Sequence, residues 1–257
     1  MKTFKTSIVA LLLLAAISCK KDNSTTAVAV TSDQAADMAA SALASNSGGI
    51  SSMSDDISAN AAAVTSTNGT TINSVGVTSE KQACGTTLTD SATHSSTNSE
   101  VTFNYFVKYS HTLNCNVNNQ PDNIINALTY HGDFSNPRIS TTATGTANAT
   151  IAGLTLNATN FVINGEYKRA GTFASKVGNK ATGNSNIDIV VTNLTLSKPD
   201  RKIVGGSATI AVTGVAGSHS YNFTGTAVFN SDGTVTLTIT GGAVYKINMS
   251  TGVYTKL

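Results

Sequence analysis

The chain carries few side chains able to do acid–base, nucleophilic or metal chemistry, and their spacing suits none of the three. It has four histidines, His94, His111, His131 and His219. They never occur as His-x-x-x-His, so the paired ligands of a zinc hydrolase are missing. The glutamates are Glu80, Glu100 and Glu166, each standing apart, whereas acid–base catalysis needs a positioned pair of titrating groups. Asp133 and Glu166 make a glycosidase-like pair only if a sheet brings them together. His131, Asp133 and Glu166 are therefore the first set to locate in a structure. Gly217-Ser218-His219-Ser220 sets a serine beside a histidine, but neighbours along a strand point to opposite faces, and no Gly-x-Ser-x-Gly elbow occurs. Asn230-Ser231-Asp232-Gly233 opens like a calcium loop but lacks the later acids. It reads as a hairpin turn with Gly at the positive-φ position. No phosphate-cradling glycine loop is present. These residues predict no catalytic constellation, no metal and no cofactor.

The elements that must position these groups follow two periods. From Asp33 to Ala44, the residues Ala35, Met38, Ala39, Ala42 and Leu43 recur at helical spacing, with Ser32 or Asp33 able to cap the start. Gly48-Gly49 ends that helix. Ile50, Met53, Ile57, Ala61 and Val64 form a second, weaker stripe, diluted by serines. The methionines in these stripes read as packing against a sheet rather than as a binding groove. Beyond Thr70 the period is two. Val101, Phe103, Tyr105, Val107 and Tyr109 share one strand face, as do Ile187, Ile189 and Val191, and Val235, Leu237 and Ile239. Threonine fills many of the opposite positions, where its branched Cβ suits a pleated surface. One apolar and one hydroxyl face describe antiparallel sheets wetted on one side. Asn164-Gly165, Lys198-Pro199-Asp200, Gly205-Gly206 and Asn230-Ser231-Asp232-Gly233 give the clearest turn signals. The expected fold is all-β: roughly ten strands of about eight to twelve residues in a large twisted antiparallel meander. That meander is either a sandwich or an open half-barrel, with a short N-terminal helical segment.

Composition limits the partners. The chain is +2 overall, with 12% charged residues and no Trp. Lys2 and Lys5 belong to an N-terminal segment that reads as an export signal, so the remainder is near neutral and gives no electrostatic argument for nucleic acid. In that segment the two lysines precede an apolar run, residues 7–17. A run of roughly ten residues is too short to span a bilayer, which takes about 20, and fits the core of a cleaved signal peptide.

Ala16-Ile17-Ser18-Cys19, which closes the run, resembles the lipobox of bacterial lipoproteins, with Ala16 where Leu is commonest. The resemblance implies cleavage before Cys19 and a lipid on its thiol. Lys20-Lys21-Asp22 is similar to the charged stretch after the anchor in Bacteroidota-type lipoproteins, some of which reach the cell surface. The style of Cys84 to Leu257, with Thr-rich strands and an Asn-Ser-Asp-Gly hairpin, resembles uncharacterised domains of those lipoproteins. Asp90-Ser91-Ala92 is similar to the Bacteroidota O-glycosylation acceptor, which makes Ser91 a candidate. Cys84 and Cys115 remain. In an oxidising envelope such a pair reads as a disulfide; the rival readings are a reactive thiol or a zinc site, which would need closely spaced Cys or His partners.

The expected organisation is a signal peptide over residues 1–18, a lipidated Cys19 with its tether over 19–31, and one domain over 32–257. Residues 32–65 are helical there and 70–257 antiparallel β. The expected role is a non-enzymatic binding or structural one at the outer membrane, periplasm-facing or on the cell surface. The membrane is met through Cys19, and a protein, a glycan or an apolar ligand is the other partner. A carrier holding an apolar ligand between sheet and helix, and a glycan-acting hydrolase, are the alternatives.

Overall fold

The computed structural model describes residues 29–65, 71–73, 76–78, 82–97 and 100–257. Cys19, the expected signal peptide, most of the tether and Glu80 lie outside them. Two helices come first: α1 (Ser32–Leu43) and α2 (Ile50–Thr65), joined by a 3-10 turn over Ser45–Ser47. The serines of the second stripe do not break α2. The oxygens of Ser54 and Ser58 turn back onto the carbonyls of Ile50 and Asp55, which lets them sit buried in a helix. Gly48 takes a left-handed φ of 64°, and a Cβ there would overlap the Tyr130 ring, so only glycine fits this link.

A short hairpin, β1 (Thr71–Asn73) with β2 (Gly76–Thr78), leads to the main body. There follow β3 (Thr87–Thr97), β4 (Thr102–Cys115), β5 (Pro121–Ser135), β6 (Ile139–Ala152), β7 (Asn160–Ser175) and β8 (Thr182–Ser197). The sheet is completed by β9 (Ile203–Ala216), β10 (His219–Phe229), β11 (Thr234–Ile239), β12 (Val244–Asn248) and β13 (Tyr254–Lys256). They form one antiparallel sheet of eleven strands in unbroken sequence order, with β3 and β13 at its edges. The meander is as expected, but a sandwich is not: every strand of this body lies in the same sheet, leaving no second sheet to face it. Several strands run to 14–16 residues, longer than expected, because two of the turn signals are not turns. Asn164-Gly165 sits inside β7 at a register shift, and Gly205-Gly206 lies inside β9 opposite another. At Gly165 an added Cβ would strike Asn148 and Ala149 of the adjacent strand. Close strand contact at a bulge, rather than chain reversal, selects glycine there.

The sheet is strongly coiled. Arg138, between β5 and β6, donates a hydrogen bond to the Tyr254 hydroxyl on β13, and Asn136 reaches the carbonyl of Thr251 at 3.3 Å. Segments seven strands apart in order thus meet, which requires the sheet to curl back over α1. Every residue of α1 from Gln34 to Leu43 is buried, and the helix touches β6 to β9 and β11. Its alanines let strands approach its backbone on all sides, the behaviour of a core helix rather than a surface one. The expected cap shifts by one residue. Thr31 is the N-cap, in a reciprocal capping box with Gln34. Val30 is also buried, and Ala29 accepts from Asn179 at 2.9 Å, so the chain joins the domain from residue 29.

The buried helix needs partners for its polar groups. At its C-terminal end, Arg169 of β7 donates to the carbonyl of Ser41 and to Thr141 Oγ1, both at 2.9 Å, while only 3% exposed. A cation there satisfies a terminal carbonyl and complements the helix dipole. On the flank, Asp37 is paired with Arg138 at 2.6 Å. Burial pushes Asp37 up to about 6 against the pull of that guanidinium.

Two predictions follow from these anchors. Arg169→Ala should lower unfolding free energy by about 3–5 kcal/mol, because it strands Ser41 and Thr141 and opens a cavity; Arg169→Leu, which fills the space, should cost less, and urea melts give the order. Asp37 has a raised folded pKa, so its contribution is complete below about pH 4 and is lost as pH rises through about 6. Its shift of about two units corresponds to at most about 3 kcal/mol. Asp37→Asn should flatten the decline in stability between those pH values, measured by denaturation across pH.

Candidate functional site

The three residues singled out for inspection are not brought together. His131 and Asp133 lie on the outer face of β5, where His131 packs at 5.2 Å from Phe106 and Asp133 accepts from Thr142. Glu166 is on β7, level with Ala127 of β5 through Asn148 of β6, four residues away along the strand from His131. Glu166 instead joins Lys168 at 2.8 Å, and Lys168 lies 3.9 Å from Asp188 of β8. Glu100 is exposed just before β4. His219 is exposed at the β9–β10 reversal, where Gly217 has a φ of 58°. The Asn230–Gly233 segment is the expected hairpin turn, with Asp232 held by Thr234 and by Lys246 at 3.0 Å.

His111 and His94, unlike His131 and His219, turn inward. Both share strand parity with the inward-facing residues. His111 is 3% exposed, 2.6 Å from Asn126 through Nδ1 and 3.4 Å from Asp90 through Nε2. It stacks on Tyr109 at 5.4 Å. Gln82 donates to its backbone carbonyl at 2.9 Å, so this histidine is tied into the core. Ser91, the candidate O-glycosylation acceptor, is exposed on the edge strand β3 beside Lys108, while Asp90 turns inward. The expected Cys84–Cys115 bond is formed, with Cα atoms 5.6 Å apart. It ties the entry of β3 to the end of β4. The chain-entropy model gives about 3.5–4 kcal/mol for a loop of this length.

The sequence did not foresee the principal cleft. It is an open cavity of about 980 Å³ where the coiled sheet brings a corner of β3 and β4 near the β8–β9 and β10–β11 turns. The first turns of α2 form its floor, contributing Ser51, Ser52, Asp55 and Asp56. One wall is a strip of rings. Tyr105 stacks on His94 at 5.0 Å and lies 5.7 Å from Phe103. Tyr105 and Ser52 are hydrogen-bonded through their hydroxyls at 2.8 Å. Leu196, Ile203 and Met249 supply apolar surface opposite. Arg201, in the β8–β9 turn with a left-handed φ of 51°, reaches across to Asp55 at 3.1 Å.

Asp56 is the unusual carboxylate. It accepts a hydrogen bond from Tyr109, and burial raises its pKa although that bond and His94 pull it down. His94 Nε2 is buried without a hydrogen-bond partner among the described residues. Among those residues, no three His, Cys, Asp or Glu side chains gather to hold a metal. Between helices and sheet the free space near Met53, Tyr105 and Tyr130 is about 10 Å³, the size of one water. No protein-family model matches the chain, and neither a curated protein nor a solved structure matches it.

Carbon-13 titration of the side-chain carboxylates should find Asp56 above the ordinary aspartate range. Tyr109→Phe removes the donor that lowers it, so Asp56 should then rise further. An unshifted Asp56 in that variant would show the hydrogen bond to be energetically idle.

Proposed function

We propose that the chain is a lipid-anchored protein of the outer membrane, periplasm-facing or at the cell surface, with a non-enzymatic binding role. Its interior is filled and its recognition groups stand in an open cleft; this arrangement carries the reading. An apolar carrier needs a chamber between helix and sheet, and among the described residues the space lined by Met53, Tyr105 and Tyr130 is about 10 Å³. A glycan-acting hydrolase of the expected kind needs Asp133 and Glu166 on either side of one bond, and they lie on separate parts of the outer face. The anchor reading is supported by the residues before Cys19 and by their resemblance to bacterial lipoproteins. Two or more acyl chains would make the attachment stable, since each buried CH₂ contributes about 0.8 kcal/mol.

The anchor is tested with the full chain in a bacterial host supplied with labelled palmitate. The native protein should take up label and partition with membranes, whereas Cys19→Ala should lose the label and either become soluble or stay unprocessed. Equal labelling and equal membrane partition of the two proteins would overturn it.

A further inference from the structure

We infer that the cleft between the β3–β4 corner and the β8–β9 turn is a saccharide site that takes a short neutral glycan segment. This rests on the binding-protein reading and gives that reading a ligand class. The first argument is electrostatic. The acids at the lip are matched one to one: Asp55 with Arg201 at 3.1 Å, Asp200 with Lys202 at 3.5 Å, and Asp232 with Lys246 at 3.0 Å. A phosphate or carboxylate ligand would have to break one of these pairs to find a cation. What the cleft offers beyond the pairs is hydrogen bonding: the side chains of Ser51, Ser52 and Asn46 and the Asp56 carboxyl.

The second argument is shape. In the ring strip along one wall, Phe103 and His94 are part-buried and flank the buried Tyr105. A pyranose has an apolar C–H face and a rim of hydroxyls, and ring faces with their negative quadrupole attract such C–H groups. With a sugar lying on the strip, its rim hydroxyls fall towards the serines and Asp56 on the floor. His94 and Phe103 are only part-buried, so their side chains border the cleft where a sugar would lie. A cavity of about 980 Å³ is at the upper end of ordinary ligand sites and has room for more than one sugar ring. Its open mouth suits a segment of a longer chain.

The experiment uses the full-length protein in detergent. Linear trisaccharides of glucose, mannose, galactose and N-acetylglucosamine, with trigalacturonic acid as the anionic comparison, are titrated by calorimetry and saturation-transfer NMR. At least one neutral trisaccharide should bind one to one with a Kd of about millimolar or tighter, ahead of the anionic one. Phe103→Ala and His94→Ala should weaken it by about tenfold or more. Thr146→Val, on the outer face, should leave binding intact, with thermal melts verifying the fold of each variant. No binding of any neutral sugar at millimolar concentration, a preference for trigalacturonic acid, or equal affinity in Phe103→Ala and His94→Ala would overturn the site. A failed titration with palmitate labelling intact removes the ligand and leaves the anchored protein. Release of reducing ends from a bound trisaccharide upholds the site and overturns the non-enzymatic reading.

Discussion

The structure depends on a helix sealed inside a sheet. From Gln34 to Leu43 α1 has no solvent side, so polar groups there must be satisfied by the helix itself and the elements around it. The sheet answers at both ends. Asp33 receives the Tyr245 hydroxyl at 2.7 Å and Lys256 at 2.9 Å, and the Asp33 carbonyl accepts from Tyr254 at 3.0 Å. Arg169 takes the carbonyl of Ser41 at the other end, and Tyr130 and Tyr167 donate to the carbonyls of Ser47 and Gly48 just beyond it. These donors come from β5, β7, β12 and β13. One buried helix therefore fixes strands far apart in sequence, and with them the curl of the sheet. Losing such a bond costs more than forming it gains, because the stranded carbonyl keeps its desolvation penalty.

That constraint also decides where a ligand can go. Small alanines on α1 and large rings on the sheet, with Tyr167, Tyr245, Phe134 and Phe161 all nearly inaccessible, fill the space a carrier would leave open. Open space is displaced to places where the coiling leaves a gap. The principal one lies where the β3–β4 corner swings towards turns from the opposite part of the sheet. Its polar groups come from a helix floor, a strand wall and a turn, so the same curl that encloses α1 assembles the cleft. Arg201 shows the local cost: a non-glycine residue in the left-handed region is disfavoured by about 1–2 kcal/mol, and here it holds a guanidinium over Asp55.

Much of the fold was legible because burial on one face imposes a period. Tyr105, Val107 and Tyr109 alternate in sequence and are buried together, as are Ile187, Ile189 and Val191. The stripe from Ala35 to Leu43 likewise marks a helix. The stripe did not show that α1 is buried from Gln34 to Leu43, because it takes no account of Asp37 and Ser41. They are neutralised or bonded by Arg138 and by neighbouring backbone. The cleft was illegible for a related reason. His94, Phe103, Asp56 and Arg201 come from four separate elements, and their meeting depends on sheet curvature, which strand periodicity does not encode. Glycine pairs misled for lack of the same information. A Gly that permits a hairpin and a Gly that admits a neighbouring strand look alike until the register is known.

An open sheet must also manage two edges, since unpaired backbone groups invite another strand. At one end the problem is made small: β13 has three residues and is pinned by Tyr254 and Lys256 to α1. At the other, β3 is eleven residues long and mostly exposed, and it carries no lysine or proline to discourage pairing. Its protection is different. The Cys84–Cys115 bond holds its entry against β4. Asp90 and His94 turn charge-bearing side chains inward along the strand, one of the devices by which natural sheets discourage edge-to-edge association. The same inward turn places His94 in the ring strip of the cleft and Asp90 beside His111. The edge is thus guarded by residues that also build the interior and the cleft, so a substitution that hardens β3 against self-association at these positions would be expected to reshape the cleft as well.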